Sequence, residues 1–175
     1  MAETAFIVRV PEAEALVGSL RERFDASAAL GVPAHITVLA PFMPPEEITP
    51  AVMQQVRSAL SVVPAFTFSL ARAARFPATA YLAPEPSTPF VAMTQALSQR
   101  FPAYPPFKGE HAGIIPHLTV ANGNTKEAEF AAGELEERLR VHGPVRSTCA
   151  EVVLLENSSG TWKEMHVLAL TGRDA

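Results

Sequence analysis

One four-residue phrase occurs twice, as His35-Ile36-Thr37-Val38 and His117-Leu118-Thr119-Val120, and constrains the fold more than any other feature of the chain. Each copy closely follows a proline, Pro33 in the first and Pro116 in the second. Successive side chains of a β-strand point to opposite faces, so residues i and i+2 share one. His35 and Thr37 therefore point one way, while Ile36 and Val38 point the other way into a core. The second copy sets His117 and Thr119 over Leu118 and Val120 in the same manner. Two such strands lying side by side bring two imidazoles and two hydroxyls to one spot. That grouping suits acid-base chemistry on a phosphate.

The elements around each copy repeat as well. Ala5 to Val10 reads as a strand, and Pro11 suits the first position of a helix carrying Ala13, Leu16, Val17, Leu20 and Phe24 at helical spacing. Gly31-Val32-Pro33 breaks the chain before the strand of His35, and the prolines from Pro41 to Pro45 end that strand. Thr49 and Pro50 open a helix to about Val63, followed by strands over 66–76 and 79–83. Thr88 and Pro89 then start a helix to about Phe101, and a long loop leads to the strand of His117. Thr125 caps a helix bearing Ala128, Ala131, Ala132, Leu135 and Leu139, and strands over 145–156 and 161–170 finish the chain. The order strand, helix, His-Thr strand, helix, strand is written twice, with one strand added. It predicts an α+β fold of two pseudo-symmetric lobes, with two mostly antiparallel sheets, flanking helices and a central cleft. No Gly/Ser linker divides the halves, so residues 1–175 are expected to form one domain.

Composition narrows the function classes. Of 175 residues 48% are apolar and 18% charged, which is globular and not disordered. The first 20 residues carry no basic segment followed by an apolar run, and no apolar stretch has membrane-spanning length; a cytoplasmic protein without membrane contact is expected. A net charge of −4 does not suggest a broad surface for long nucleic acid, although a few local donors suffice for one phosphodiester. The single cysteine, Cys149, excludes an internal disulfide and is expected to pack as a small apolar group. No exposed apolar stripe is evident, so a monomer is expected.

Near neutrality one histidine can be neutral while another is protonated, so a pair flanking a phosphodiester can serve as base and acid in one in-line displacement. One imidazole activates water and the other protonates the departing ribose oxygen. Threonine hydroxyls two residues on can donate to the non-bridging oxygens. This chemistry requires neither metal nor other cofactor, and HExxH and paired cysteines, the usual zinc signals, are absent.

Other residues are candidates for holding a substrate. The irregular stretch 101–116 carries Tyr104 and Phe107, which could stack on a base, and Lys108, which could balance phosphate charge. The alternative is that the rings fold onto the core and Lys108 is solvated. Phe42, just past the first motif, has the same two readings. Arg72 and Arg75 are further phosphate candidates or plain surface charges. His111 is close enough in sequence to His117 to reach a substrate or sit in a solvated loop. His142 reads as a helix-end or turn residue and His166 as a packing residue.

The two motifs, 82 residues apart from His35 to His117, resemble those of the 2H phosphoesterase superfamily, also called the 2′-5′ RNA ligase or cyclic phosphodiesterase family. The likeness extends over Gly31 to Phe42, over Tyr104-Pro-Pro-Phe-Lys-Gly109 and Ile115 to Ala121, and to the final strand after Trp162. What it implies is a bilobal pseudo-two-fold fold with a central cleft, with His35, Thr37, His117 and Thr119 as the catalytic set. The implied activity is metal-independent opening of 2′,3′-cyclic phosphates on RNA ends or small nucleotides, in some members with 2′-5′ ligation. A non-catalytic module that binds RNA ends or nucleotides in the same cleft is the alternative.

Overall fold

A computed structural model describes residues 1–109 and 113–172, without the side chains of Phe107 and Lys108. Among the described residues, strands β1 (Thr4–Arg9), β2 (His35–Phe42), β3 (Phe66–Phe76), β4 (Thr79–Glu85), β5 (Leu118–Asn122), β6 (Val145–Cys149), β7 (Glu151–Glu156) and β8 (Lys163–Ala169) join in one sheet. Its order is β6-β3-β4-β5-β2-β1-β7-β8, with every neighbouring pair antiparallel. The helices are α1 (Glu14–Phe24), the short α2 (Ala26–Ala29), α3 (Pro50–Leu60), α4 (Thr88–Arg100) and α5 (Thr125–His142).

The two expected sheets are halves of this single sheet. They meet where β2 and β5 share one registered pair, Ile36 with Leu118, whereas the other neighbouring strands share at least four. The strands therefore part on either side of that pair. About this junction the sheet is pseudo-symmetric, with β2, β1, β7 and β8 on one side and β5, β4, β3 and β6 on the other. Each half is built from both repeats. The third strand of the first repeat, β3, pairs with β4, while β7 from the second repeat pairs with β1. This exchange also splits the run 145–156, read as one strand, at Ala150. β6 pairs with β3 and β7 with β1, so the chain must change neighbours there.

The alternation within the motifs sets the two faces. Ile36, Leu118 and Val120 are fully buried and Val38 nearly so, while the intervening histidines and threonines are half-buried. Helices cover the apolar face, with α1 and α5 behind β3 to β5 and α4 behind β2. Thr49 Oγ1 accepts from Val52 N at 3.2 Å to cap α3, whose Met53, Val56 and Leu60 repeat on one side and are buried. Asn124, rather than Thr125, caps α5, since its Oδ1 accepts from Glu127 N at 2.8 Å. The buried Ala128, Ala131 and Ala132 of α5 lie against Ala80 and Ala121, where methyl groups allow helix and sheet to approach closely. Cys149 is buried as expected, and burial pushes its thiol up to about 12. No described helix is long and apolar enough to cross a membrane.

Candidate active site

The single pair between β2 and β5 fixes how the motifs face each other. Counting outward from Ile36–Leu118 along antiparallel strands sets His35 across from Thr119 and Thr37 across from His117. Each imidazole thus lies beside the hydroxyl of the other motif, and the imidazoles lie on a diagonal. Diagonal Cβ atoms on a regular ladder are about 7–8 Å apart; because the strands part on either side of Ile36–Leu118, the two rings are not drawn closer than that, which leaves room for a phosphate between them.

Both rings are oriented alike. His35 Nδ1 is 2.8 Å from the carbonyl oxygen of Pro33, and His117 Nδ1 is 2.6 Å from that of Ile115. A carbonyl only accepts, so Nδ1 carries a hydrogen in each ring, and the two rings share one tautomer. The two carbonyls are each two residues before their histidine. The matched geometry therefore orients the two rings alike.

Their surroundings differ. The segment before His35 is clamped from below: Val10 N donates to Ala34 O at 2.9 Å, and Glu14 Oε1 accepts from Ala34 N at 2.6 Å. Arg21, only 2% exposed, donates to Val32 O at 3.0 Å, to Ser27 Oγ at 3.1 Å and to Asp25 Oδ2 at 3.1 Å. Asp25 in turn accepts from the amide and hydroxyl of Ser27. Burial pushes the His35 imidazole below its ordinary value of 6.5, with nearby Arg21 and His117 adding to the shift, while the Pro33 carbonyl and Asp25 oppose it. His117 instead sits against aromatic rings, with Phe76 and Tyr81 edge-to-face at 5.3 Å each. Tyr81 is registered with Thr119, which places this wall along the cleft. A small recess lined by Thr37, Pro106, Ile115 and His117 adjoins the site.

Not every candidate joins this group. Phe42 is 3% exposed, with ring centroids 4.8 Å from Phe6, 5.1 Å from Phe101 and 5.2 Å from Tyr104. It is a core residue, because its alternating position on β2 points away from His35 and into the apolar layer, and it presents no face to a ligand. Tyr104 is half-buried on Phe42, and its hydroxyl donates to Glu47 Oε2 at 3.4 Å. Phe107 and Lys108 lie in a 3-10 turn, Pro106–Gly109, beside β2, with side chains outside what is described, and His111 lies outside the described residues. Arg75 points to the outer face, where it pairs with Glu129 at 3.6 Å. His142 is exposed at the end of α5, bonded to Gly143 O, and His166 pairs on β8 with Leu154.

Sequence reading missed Glu14, Arg21 and Asp25 below His35 and Phe76 and Tyr81 beside His117. The i,i+4 spacing of Arg21 and Asp25 was the one local signal; the rest depends on strand pairing. No group of three or more His, Cys, Asp or Glu among the described residues is placed to hold a metal ion.

A family model described as the 2′-5′ RNA ligase superfamily matches residues 9–161. Among solved structures, LigT of E. coli complexed with 3′-AMP is similar at 15% identity and a TM-score of 0.62, covering 97% of this chain and 98% of its own. TT0787 of Thermus thermophilus is similar at 15% identity and a TM-score of 0.60, covering 98% of this chain and 100% of its own. E. coli LigT complexed with ATP has 16% identity and a TM-score of 0.56, covering 98% of this chain and 99% of its own. No curated protein matches the chain significantly. With a family match over most of its length and paired His-x-Thr strands meeting at the centre of the sheet, this chain belongs to the 2′-5′ RNA ligase superfamily, a family of phosphoester-acting enzymes.

Proposed function

We propose that this protein opens 2′,3′-cyclic phosphates on RNA ends or small nucleotides by acid-base catalysis between His35 and His117. The observation that carries the reading is the Ile36–Leu118 register, which sets each histidine beside the other motif's threonine. The matched Nδ1–carbonyl bonds support it by turning both rings the same way and setting the same tautomer in each. The complexes of E. coli LigT with 3′-AMP and with ATP support a nucleotide as ligand.

His35, held below the ordinary histidine range, is the base. Its Nε2 takes a proton from water as the water oxygen attacks phosphorus. His117 Nε2, protonated, gives its proton to the ribose oxygen as the P–O bond breaks. The product is a ribose phosphomonoester with a free hydroxyl, and the two imidazoles have exchanged protonation states. Thr37 and Thr119 donate to the non-bridging oxygens, whose charge grows at the transition state. With a 5′-hydroxyl in place of water, the same transfers join two RNA ends through a 2′-5′ linkage.

Hydrolysis of 2′,3′-cyclic AMP and of an oligonucleotide ending in a cyclic phosphate, both in EDTA, tests the reading. Turnover of at least one is expected, and affinity without turnover of any cyclic phosphate would replace it with a binding role. Thr37→Val and Thr119→Val, which keep the side-chain volume, are each expected to lower kcat about 100-fold without altering the circular dichroism spectrum. Because His35 must be neutral in the free enzyme, kcat/KM should rise with pH along a limb centred below 6.5. A midpoint at or above that value would reverse the assignment of base and acid.

A further inference from the structure

Reading across the strands sets one row of side chains beside each histidine on the cleft face. In one half, His35 on β2 is registered with Arg9 on β1. Arg9 Nη2 is 3.0 Å from Glu151 Oε1 on β7, and its Nη1 is 2.9 Å from Glu164 Oε1 on β8. In the other half, Leu118 is registered with Leu82, which carries His117 to Ala83 on β4, and Ala83 is registered with Arg72 on β3. Arg72 thus holds the position pseudo-equivalent to Glu151. Alternation along β3 gives Arg72 the same face as Ala74 and Phe76, and the Phe76 ring rests on His117. Arg75, of the opposite parity, is paired with Glu129 of α5 on the outer face.

The two rows therefore differ in charge. Beside His35 one arginine is held by two carboxylates, which leaves that flank net negative. Beside His117 an exposed arginine makes no hydrogen bond or ion pair with any described residue. A ligand with more than one phosphate is repelled from the first flank and drawn over the second. Arg72 is two strand spacings from His117, about 10 Å between backbones. An arginine side chain reaching back across Ala83, which offers only a methyl group, brings its guanidinium one nucleotide step from a phosphate held by the two imidazoles. A guanidinium suits that place because it binds phosphate oxygens through two parallel hydrogen bonds.

We propose that Arg72 forms a second phosphate subsite, which holds the phosphate on the 5′ side of the ribose that carries the cyclic phosphate. The substrate then lies over β5, β4 and β3 and not over β1 and β7. The proposal rests on the cyclic-phosphate reading of the same cleft and adds which substrates that cleft prefers. The second phosphate has two possible sources, a terminal 5′-phosphate or an internucleotide phosphodiester.

The experiment compares kcat/KM for three substrates: 2′,3′-cyclic AMP, its 5′-phosphorylated form, and a dinucleotide ending in a 2′,3′-cyclic phosphate. Wild type is expected to favour one or both of the two-phosphate substrates over 2′,3′-cyclic AMP. Arg72→Gln is expected to lower that preference ratio about 10- to 100-fold, as for loss of a charge-assisted hydrogen bond. Arg72→Lys should keep part of the ratio, and Arg57→Gln, on the exposed side of α3, should leave it unchanged. A gain with the 5′-phosphorylated form identifies a terminal phosphate as sufficient, and a gain with the dinucleotide alone identifies the phosphodiester. Wild-type turnover without any preference, or an Arg72→Gln loss equal on all three substrates, overturns the subsite while leaving the catalytic reading in place. No wild-type turnover of any of the three overturns both.

Discussion

Replacing His35 or His117 with alanine is expected to lower kcat about 100- to 10,000-fold, the usual contribution of a positioned acid or base. Each ring supplies one of two proton transfers in the same step, so neither can replace the other. In His35→Ala the attacking water keeps its proton, and in His117→Ala the departing oxygen leaves as an alkoxide. The double variant should be little worse than the poorer single one, because groups that act in one transition state do not contribute independently. Both rings are half-buried on the cleft face, and each is held by a carbonyl two residues back in its own strand segment, so their removal should leave the fold intact. Rates in EDTA, with circular dichroism as the control for folding, provide the check. Wild-type activity retained by either single variant would overturn the two-histidine mechanism.

Arg21→Ala is expected to destabilise the protein by about 3–5 kcal/mol, the cost of leaving one member of a buried ion pair alone. Asp25 is 8% exposed and would be left charged with only Ser27 as a donor, while Val32 O would lose its partner. Arg21→Lys should recover only part of the loss. A lysine ammonium restores the charge, but it cannot reproduce a planar fork that meets Asp25, Ser27 and Val32 together. The midpoint of urea unfolding measures both variants, and an unchanged midpoint for Arg21→Ala would refute the account. Because this pair holds the segment that carries the Pro33 carbonyl, Arg21→Ala should also lower kcat under conditions where the protein remains folded. Asp25 and Arg21 are positioning residues in this sense, since they act on His35 through the backbone.

The parts of the fold legible in the sequence are those set by neighbours along the chain. Ile36 and Val38 are buried and His35 and Thr37 half-buried because a strand alternates, and that required only four letters. The bounds of β3 are those read from its strand-like run, and α3 begins where Thr49 and Pro50 said it would. Capping of α5 was misplaced by one residue because Asn124 and Thr125 are both capping types, and only backbone geometry separates them. Phe42 shows the limit more sharply. Its place after the motif offered two readings, and the choice fell to Phe6, Phe101 and Tyr104, which are distant in sequence and close in the core.

The sequence by itself determined that two His-x-Thr strands exist, that each has one polar and one apolar face, and that each sits in the same slot of a repeated order. These follow from periodicity, which is a property of the local backbone. Only the tertiary structure decided that the strands meet at Ile36 and Leu118, which sets each histidine beside the other motif's threonine. It also decided that the repeats exchange their third strands, so that Glu151 reaches Arg9 while Arg72 stands two strands from His117. Register and strand order are set by burying the apolar faces of both repeats in one layer, and that depends on residues far apart in the chain all at once.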